Sequence, residues 1–146
     1  MKLLMLYCFL VSNQISYSQE IVDTNIIEHE KLIDIVVAGI DSNKSLKISN
    51  IRGLDSLQGE YTADVVWEFD PKEIKKIKYL FDALDKSIEF YFVKDQLILV
   101  FEGTSRFYFI SNFFYDIDGK AIENKKLIEL LGWDRRVRRS ILKILH

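Results

Sequence analysis

The chain has 146 residues, with 20 Lys and Arg against 22 Asp and Glu and a formal net charge of −2. That balance removes the electrostatic case for nucleic-acid binding. One proline and six glycines exclude linker-rich or low-complexity organisation.

The N-terminus reads as a secretory signal over residues 1–18. Lys2 gives a short basic region, and Leu3–Val11 an apolar core of nine residues. Ser16-Tyr17-Ser18 then places small residues for cleavage before Gln19. Nine apolar residues are too few for a transmembrane helix. The one cysteine, Cys8, lies in this core and follows Tyr7 rather than a small residue, which argues against lipidation. The mature chain, residues 19–146, then contains no cysteine. It is expected to be one α+β domain, exported to the periplasm or secreted and held together without disulfides.

Residues 25–38 read as a helix. Asn25 and Glu28 have capping-box spacing, Ile26, Ile33, Val36, Val37 and Ile40 share one arc, and Gly39 is placed to end it. A strand over 32–40 is the rival, because Ile and Val are dense there. Asp41–Lys44 is a turn by composition. Ser45–Ile51 is a weak strand or an irregular stretch, Gly53–Gly59 a loop, and Tyr61–Phe69 a β-rich segment.

Residues 70–86 carry conflicting signals. Asp70-Pro71-Lys72-Glu73 resembles a helix start, with Ile74, Ile77, Phe81 and Leu84 at helical spacing. Ile77, Tyr79 and Phe81 also alternate as in a strand. Three segments share an aromatic residue, a polar turn and a return to aliphatics: Phe69–Ile74, Phe92–Leu97 and Tyr115–Ile122. The second is a hairpin by both flanks, and by analogy 73–81 is read as a strand.

Gln58-Gly59-Glu60-Tyr61-Thr62, the lysine-isoleucine run Glu73–Tyr79, and two aromatic hairpins (Glu89–Phe92 with Leu97–Phe101, Arg106–Phe109 with Phe113–Tyr115) follow a helix in that order. Over roughly residues 26–122 this order resembles small exported proteins of Bacteroidota-type Gram-negative bacteria, mostly of unassigned function. The resemblance implies a helix followed by an antiparallel β-meander and brings no catalytic residue with it. The expected fold is an N-terminal helix, a meander of about five or six strands, and one or two C-terminal helices. Ile122–Leu131 is the first of these, Gly132 a stop, and Asp134 the N-cap of a last helix over 135–145.

Ten of the nineteen aromatic residues fall in 87–115, with only five charges. Strict alternation puts Ile88, Phe90, Phe92, Leu97, Leu99, Phe101, Phe107 and Phe109 on one face. Tyr91, Val93, Ile98, Val100, Arg106, Tyr108 and Ile110 fall on the other. A sheet with a wet face alternates apolar with polar, and this one does so only in part, so its second face meets something. The occupant is the protein's own terminal helices, a second copy or protein partner, or an envelope ligand. For a ligand, Tyr91, Tyr108, Val100 and Arg106 are the candidate binding residues.

From Trp133 onward the chain is net +4 against about −7 for the mature remainder. Arg135, Arg136, Arg139 and Lys143 form a basic arc that suits an anionic partner, including a membrane surface. The plainer reading is a solvated face. His29 reads as structural, no zinc set or nucleophile pattern is present, and no cofactor or metal is expected. Asp116-Ile117-Asp118-Gly119 reads as a turn, because the glutamate that would close a calcium loop is replaced by Leu127. These features favour a non-enzymatic binding or interaction protein. The alternatives are a small envelope hydrolase using paired carboxylates and a purely structural or oligomerising protein.

Overall fold

The structure, a computed structural model, describes residues 25–56, 58–81 and 86–145. The expected signal segment with Cys8, and His146, lie outside these residues. Helix α1 (25–42) leads into strands β1 (Lys47–Asp55), β2 (Gly59–Glu68), β3 (Glu73–Phe81) and β4 (Lys86–Val93). Strands β5 (Gln96–Glu102), β6 (Ser105–Ile110), β7 (Phe113–Tyr115) and β8 (Ala121–Ile122) follow, and helix α2 (Lys125–Ile144) closes the chain. The eight strands form one antiparallel sheet in sequence order. The layout is α+β as expected, with more strands than five or six. The weak stretch before Ile51 and half of the expected Gly53–Gly59 loop are in fact β1 and the start of β2, paired from Lys47↔Trp67 to Asp55↔Gly59. Gly53 permits this pairing, since a Cβ there would stand 2.3 Å from the Tyr61 ring.

The contested segment 73–81 is a strand. Its helical appearance has a physical origin in a bulge. Trp67 pairs with Ile74 and Val66 with Lys76, so Lys75 is an extra residue. Ile74 and Ile77 therefore point the same way although they are three apart, and with Tyr79 and Phe81 they are buried under α2.

A second bulge corrects the expected face assignment. Tyr91 pairs with Leu99 and Phe92 with Leu97, which leaves Ile98 as the inserted residue. Parity flips there. Val100 lies with Phe90 and Phe107 on the α2 face, and Leu99 takes the place expected for Val100 between Tyr91 and Tyr108.

Each helix covers one face. α2 packs on the larger core, where Trp133 meets Tyr79 at 4.8 Å, Tyr61 at 5.3 Å and Phe81 at 5.4 Å between ring centroids. α1 lies over the smaller cluster of Tyr91, Leu99 and Tyr108, contributing Val37 with Ile33 and Ile40 at its margin. Beyond α1, the same face of β1–β3 is wet and carries a polar ladder that reaches β4: Asn50 to Asp64 at 2.7 Å and Lys78 to Glu89 at 3.2 Å.

Neither glycine ends its helix. Gly39 lies within α1 and Gly132 within α2, which is one helix and not two. A mid-helix glycine costs about 1 kcal/mol. That is less than the packing of Ile40 beyond Gly39, or of Trp133 beyond Gly132. The N-cap of α2 is Asn124, whose side chain accepts from the Leu127 N–H at 3.1 Å. Among the described residues no helix is long and apolar enough to cross a membrane.

Trp133 is 1% exposed at the centre of the aromatic cluster. Trp133→Ala is expected to lose about 3–5 kcal/mol of unfolding free energy through burial lost and cavity left. Leu80→Ala, on the wet face, is expected to change it by under about 0.5 kcal/mol. Equilibrium denaturation checks both.

Candidate functional site

The two sheet faces place the expected site residues differently. Tyr91 and Tyr108 are buried under α1, and their hydroxyls are satisfied by two aspartates of that helix. Tyr91 donates to Asp41 at 3.0 Å, and Tyr108 to Asp34 at 3.0 Å. Asp34 and Asp41 are seven residues, two turns, apart and so share a helix face. Each also holds a cation: Arg106 reaches Asp34 at 3.0 Å and Lys76 reaches Asp41 at 3.0 Å. Arg106 stacks over Phe101 and Tyr108 at 5.1 and 5.4 Å. Burial pushes both tyrosines up to about 12, with the aspartates adding to it. The hydroxyls therefore stay protonated donors at neutral pH. Three of the four expected ligand-binding residues, Tyr91, Tyr108 and Arg106, thus form a latch for α1, and Val100 lies beneath α2.

Acidic side chains also gather at the N-terminal end of α1. Glu30 is buried, and its carboxyl is raised by that burial and by Asp116, Asp34 and Asp118. The Asp116–Gly119 segment is a turn, with the Asp116 carboxylate accepting from the N–H of Asp118 and of Lys120 at 3.0 and 2.9 Å. Among the described residues no three His, Cys, Asp or Glu side chains are arranged to hold a metal ion. His29 donates locally through Nδ1–H to the Asn25 carbonyl at 2.7 Å.

The open chemistry lies on the α2 side. β4 and β5 are joined by Lys94 and Asp95, with φ of 49° and 61°, and β6 and β7 by Ser111 and Asn112, with φ of 51° and 70°. Two-residue connections of this left-handed kind match the twist of paired strands. Both tips rise beside α2 and leave a groove of about 370 Å³ lined by Gln96, Leu97, Phe109, Asn112, Leu131 and Arg135. It continues along the helix in two directions. One depression of about 280 Å³ adds Arg139 and Leu142, and one of about 670 Å³ adds Phe113, Ile122 and Ile128.

Arg135 borders all three depressions and makes no ion pair among the described residues. Arg139 borders one, whereas Arg136 and Lys143 are exposed elsewhere on α2. Lys143 is in the last turn, where its charge complements the helix dipole.

Arg138, absent from the expected basic set, organises the groove wall. It bridges Asp134 at 3.3 Å and Asp95 at 3.2 Å and stacks on Phe92 at 4.2 Å. Asp134 is fully buried and accepts from Tyr79 Oη at 2.8 Å. A polar relay, Tyr79–Asp134–Arg138–Asp95, thus runs from the core to the hairpin tip. Burial raises the Asp134 carboxyl, against the Arg138 guanidinium that lowers it. The signal for Arg138 was its spacing four residues after Asp134, which reads as a helix-capping aspartate when Gly132 is taken as a stop.

No family model matches the chain, and no curated protein or solved structure shows significant similarity to it. What the site can do chemically follows from these side chains: a cation at the junction of shallow grooves, two of them lined mostly by polar residues and the largest walled mainly by aromatic and aliphatic side chains.

Arg138→Ala leaves the Asp134 carboxylate buried without its cation and is expected to cost about 3–5 kcal/mol at pH 7. An acid raised by burial binds its proton more tightly folded than unfolded. Its contribution to stability therefore grows as pH falls through the raised value toward the unfolded one, and is lost as pH rises again. The Arg138→Ala deficit should shrink as pH is lowered from 7 in urea titrations. A deficit independent of pH would show that Asp134 is not its source.

Proposed function

We propose that the chain is an exported, non-enzymatic binding module whose recognition surface is the α2 groove, and that it takes an amphiphilic anion there. The observation that carries this is Arg135, a cation without an ion-pair partner among the described residues, which borders two depressions lined mostly by polar residues and a third, the largest of them, with mainly apolar walls. An anionic head placed at Arg135 leaves an apolar tail free to lie along Phe109, Phe113 and Ile128. Export, to the periplasm or outside the cell, rests on the signal pattern of residues 1–18.

Hydrolysis by paired carboxylates has less support. The acids bordering the grooves are Asp95, held by Arg138 at 3.2 Å, and Glu123 at the far end of the largest depression. These border different depressions, apart from any shared centre.

Calorimetric titration with dodecanoate and with dodecylammonium tests the reading, because the two share a tail and differ in head charge. Dodecanoate should bind, dodecylammonium should not, and Arg135→Ala should weaken dodecanoate at least tenfold. Arg136→Ala, outside the grooves, should leave it unchanged. Equal binding of both amphiphiles, or an Arg135→Ala variant that binds normally, would overturn the proposal.

A further inference from the structure

The two edges of the sheet are managed in opposite ways. β8 is two residues long, so it offers little backbone to an incoming strand. β1 is nine residues long, pairs with β2 over its whole length without a bulge, and contains no proline. Among the described residues nothing pairs with its outer edge. Of the usual guards against edge pairing, β1 has no bulge, no proline and no shortness; its charged residues are Lys47, Arg52 and Asp55.

Its side chains also fit their own mirror arrangement. When two β1 strands lie antiparallel about Ile51, each residue faces the one equally far on the other side. Ile48 then stands opposite Leu54, Asn50 opposite Arg52, Ser49 opposite Gly53, and Lys47 opposite Asp55. Directly opposed residues in an antiparallel pair share a face. Ile48 and Leu54 both lie on the wet face, 74% and 78% exposed. On the same face the second copy's Arg52 comes beside Asn50, which donates to Asp64 at 2.7 Å, so a cation approaches an acidic neighbour. On the other face Lys47, whose ammonium lies 4.2 Å from the Phe69 ring, comes opposite Asp55. One register thus pairs apolar with apolar and basic with acidic at the same time.

We infer that two copies of this chain associate through antiparallel β1–β1 pairing centred on Ile51, joining their sheets into one continuous sheet of sixteen strands. The occupant of the β1 edge is a second copy because the strand is complementary to itself. The contact lies four strands from β5, the first strand to border the α2 groove, so both grooves stay open in the dimer. The inference is independent of what the groove binds.

Sedimentation equilibrium on the chain measures the association, and cysteine pairs measure the register. The wild-type chain should sediment as a dimer. Ile48→Lys with Leu54→Lys, both at exposed positions, opposes like charges across the edge and should weaken dimerisation at least tenfold while leaving the melting transition cooperative. In a Cys8→Ser background, mixing Ile48→Cys chains with Leu54→Cys chains should give a disulfide-linked dimer under mild oxidation. Neither variant alone should do so, because identical positions lie six residues apart in this register, roughly 20 Å. A wild-type chain that stays monomeric at 100 µM would overturn the inference. So would a dimer in which each cysteine variant cross-links to itself as readily as to the other. If the double lysine variant does not fold, the cysteine pairs still decide.

Discussion

A sheet whose middle strands are apolar on both faces is unstable until it is covered twice, and the rest of this molecule follows from that constraint. β4, β5 and β6 carry Phe90, Phe92 and Val100 toward one side and Tyr91, Leu99 and Tyr108 toward the other. The two covers differ in kind. α2 docks by area, with Trp133 set among rings and Leu127, Leu130, Leu131 and Ile141 along its inner face. α1 buries fewer residues and relies on position. Asp34 and Asp41 each accept from a tyrosine hydroxyl and from a cation. A misplaced α1 would strand those hydroxyls against apolar neighbours, at roughly 1–3 kcal/mol for each polar group left unsatisfied. Burial drives the docking of α1, and the two aspartates set its angle and register.

The layer order was legible in the sequence because it is written in periodicity. The helix at the N-terminus, the aromatic hairpins and a helical C-terminus stand where spacing puts them, although Ile122, expected to open the C-terminal helix, lies in β8 and the helix starts at Lys125. What was not legible traces to single inserted residues. The bulge at Lys75 gives a strand the three-residue spacing of a helix, and the bulge at Ile98 moves Val100 to the face opposite Tyr91 and Tyr108. A bulge leaves no local mark in residue type at either place, since Lys and Ile suit any strand. The glycines misled for a related reason. Gly39 and Gly132 have the composition of helix ends, and only tertiary packing beyond them, at Ile40 and Trp133, decides that the helices continue.

The candidate site was legible by composition and not by role. Its basic arc is visible as Arg135, Arg136, Arg139 and Lys143, yet the residue that shapes the wall is Arg138. Arg138 is the most buried of the helix's cations in ion pairs, with its side chain 11% exposed. Its partner Asp134 is fully enclosed, a position that sequence assigns to solvent for an aspartate. Such a pair is a poor source of net stability, because desolvating both charges offsets their attraction. Its effect is geometric. Tyr79 fixes one oxygen of Asp134, Asp134 fixes Arg138, and Arg138 holds the β4–β5 tip through Asp95.

That division explains why the groove presents Arg135. An arginine already bound to two carboxylates and stacked on Phe92 has little charge left to offer a ligand. One turn earlier along the helix, Arg135 has the same length and reach and no such commitments among the described residues. A groove that needs both a rigid wall and an available cation cannot take both from one side chain. Residues 135 and 138, three apart, lie on neighbouring lines of α2, one toward the hairpin tip and one toward the opening. Under the proposed function, the buried relay acts on binding indirectly. It keeps the tip at a fixed height above the helix and so sets the width of the groove whose mouth Arg135 faces.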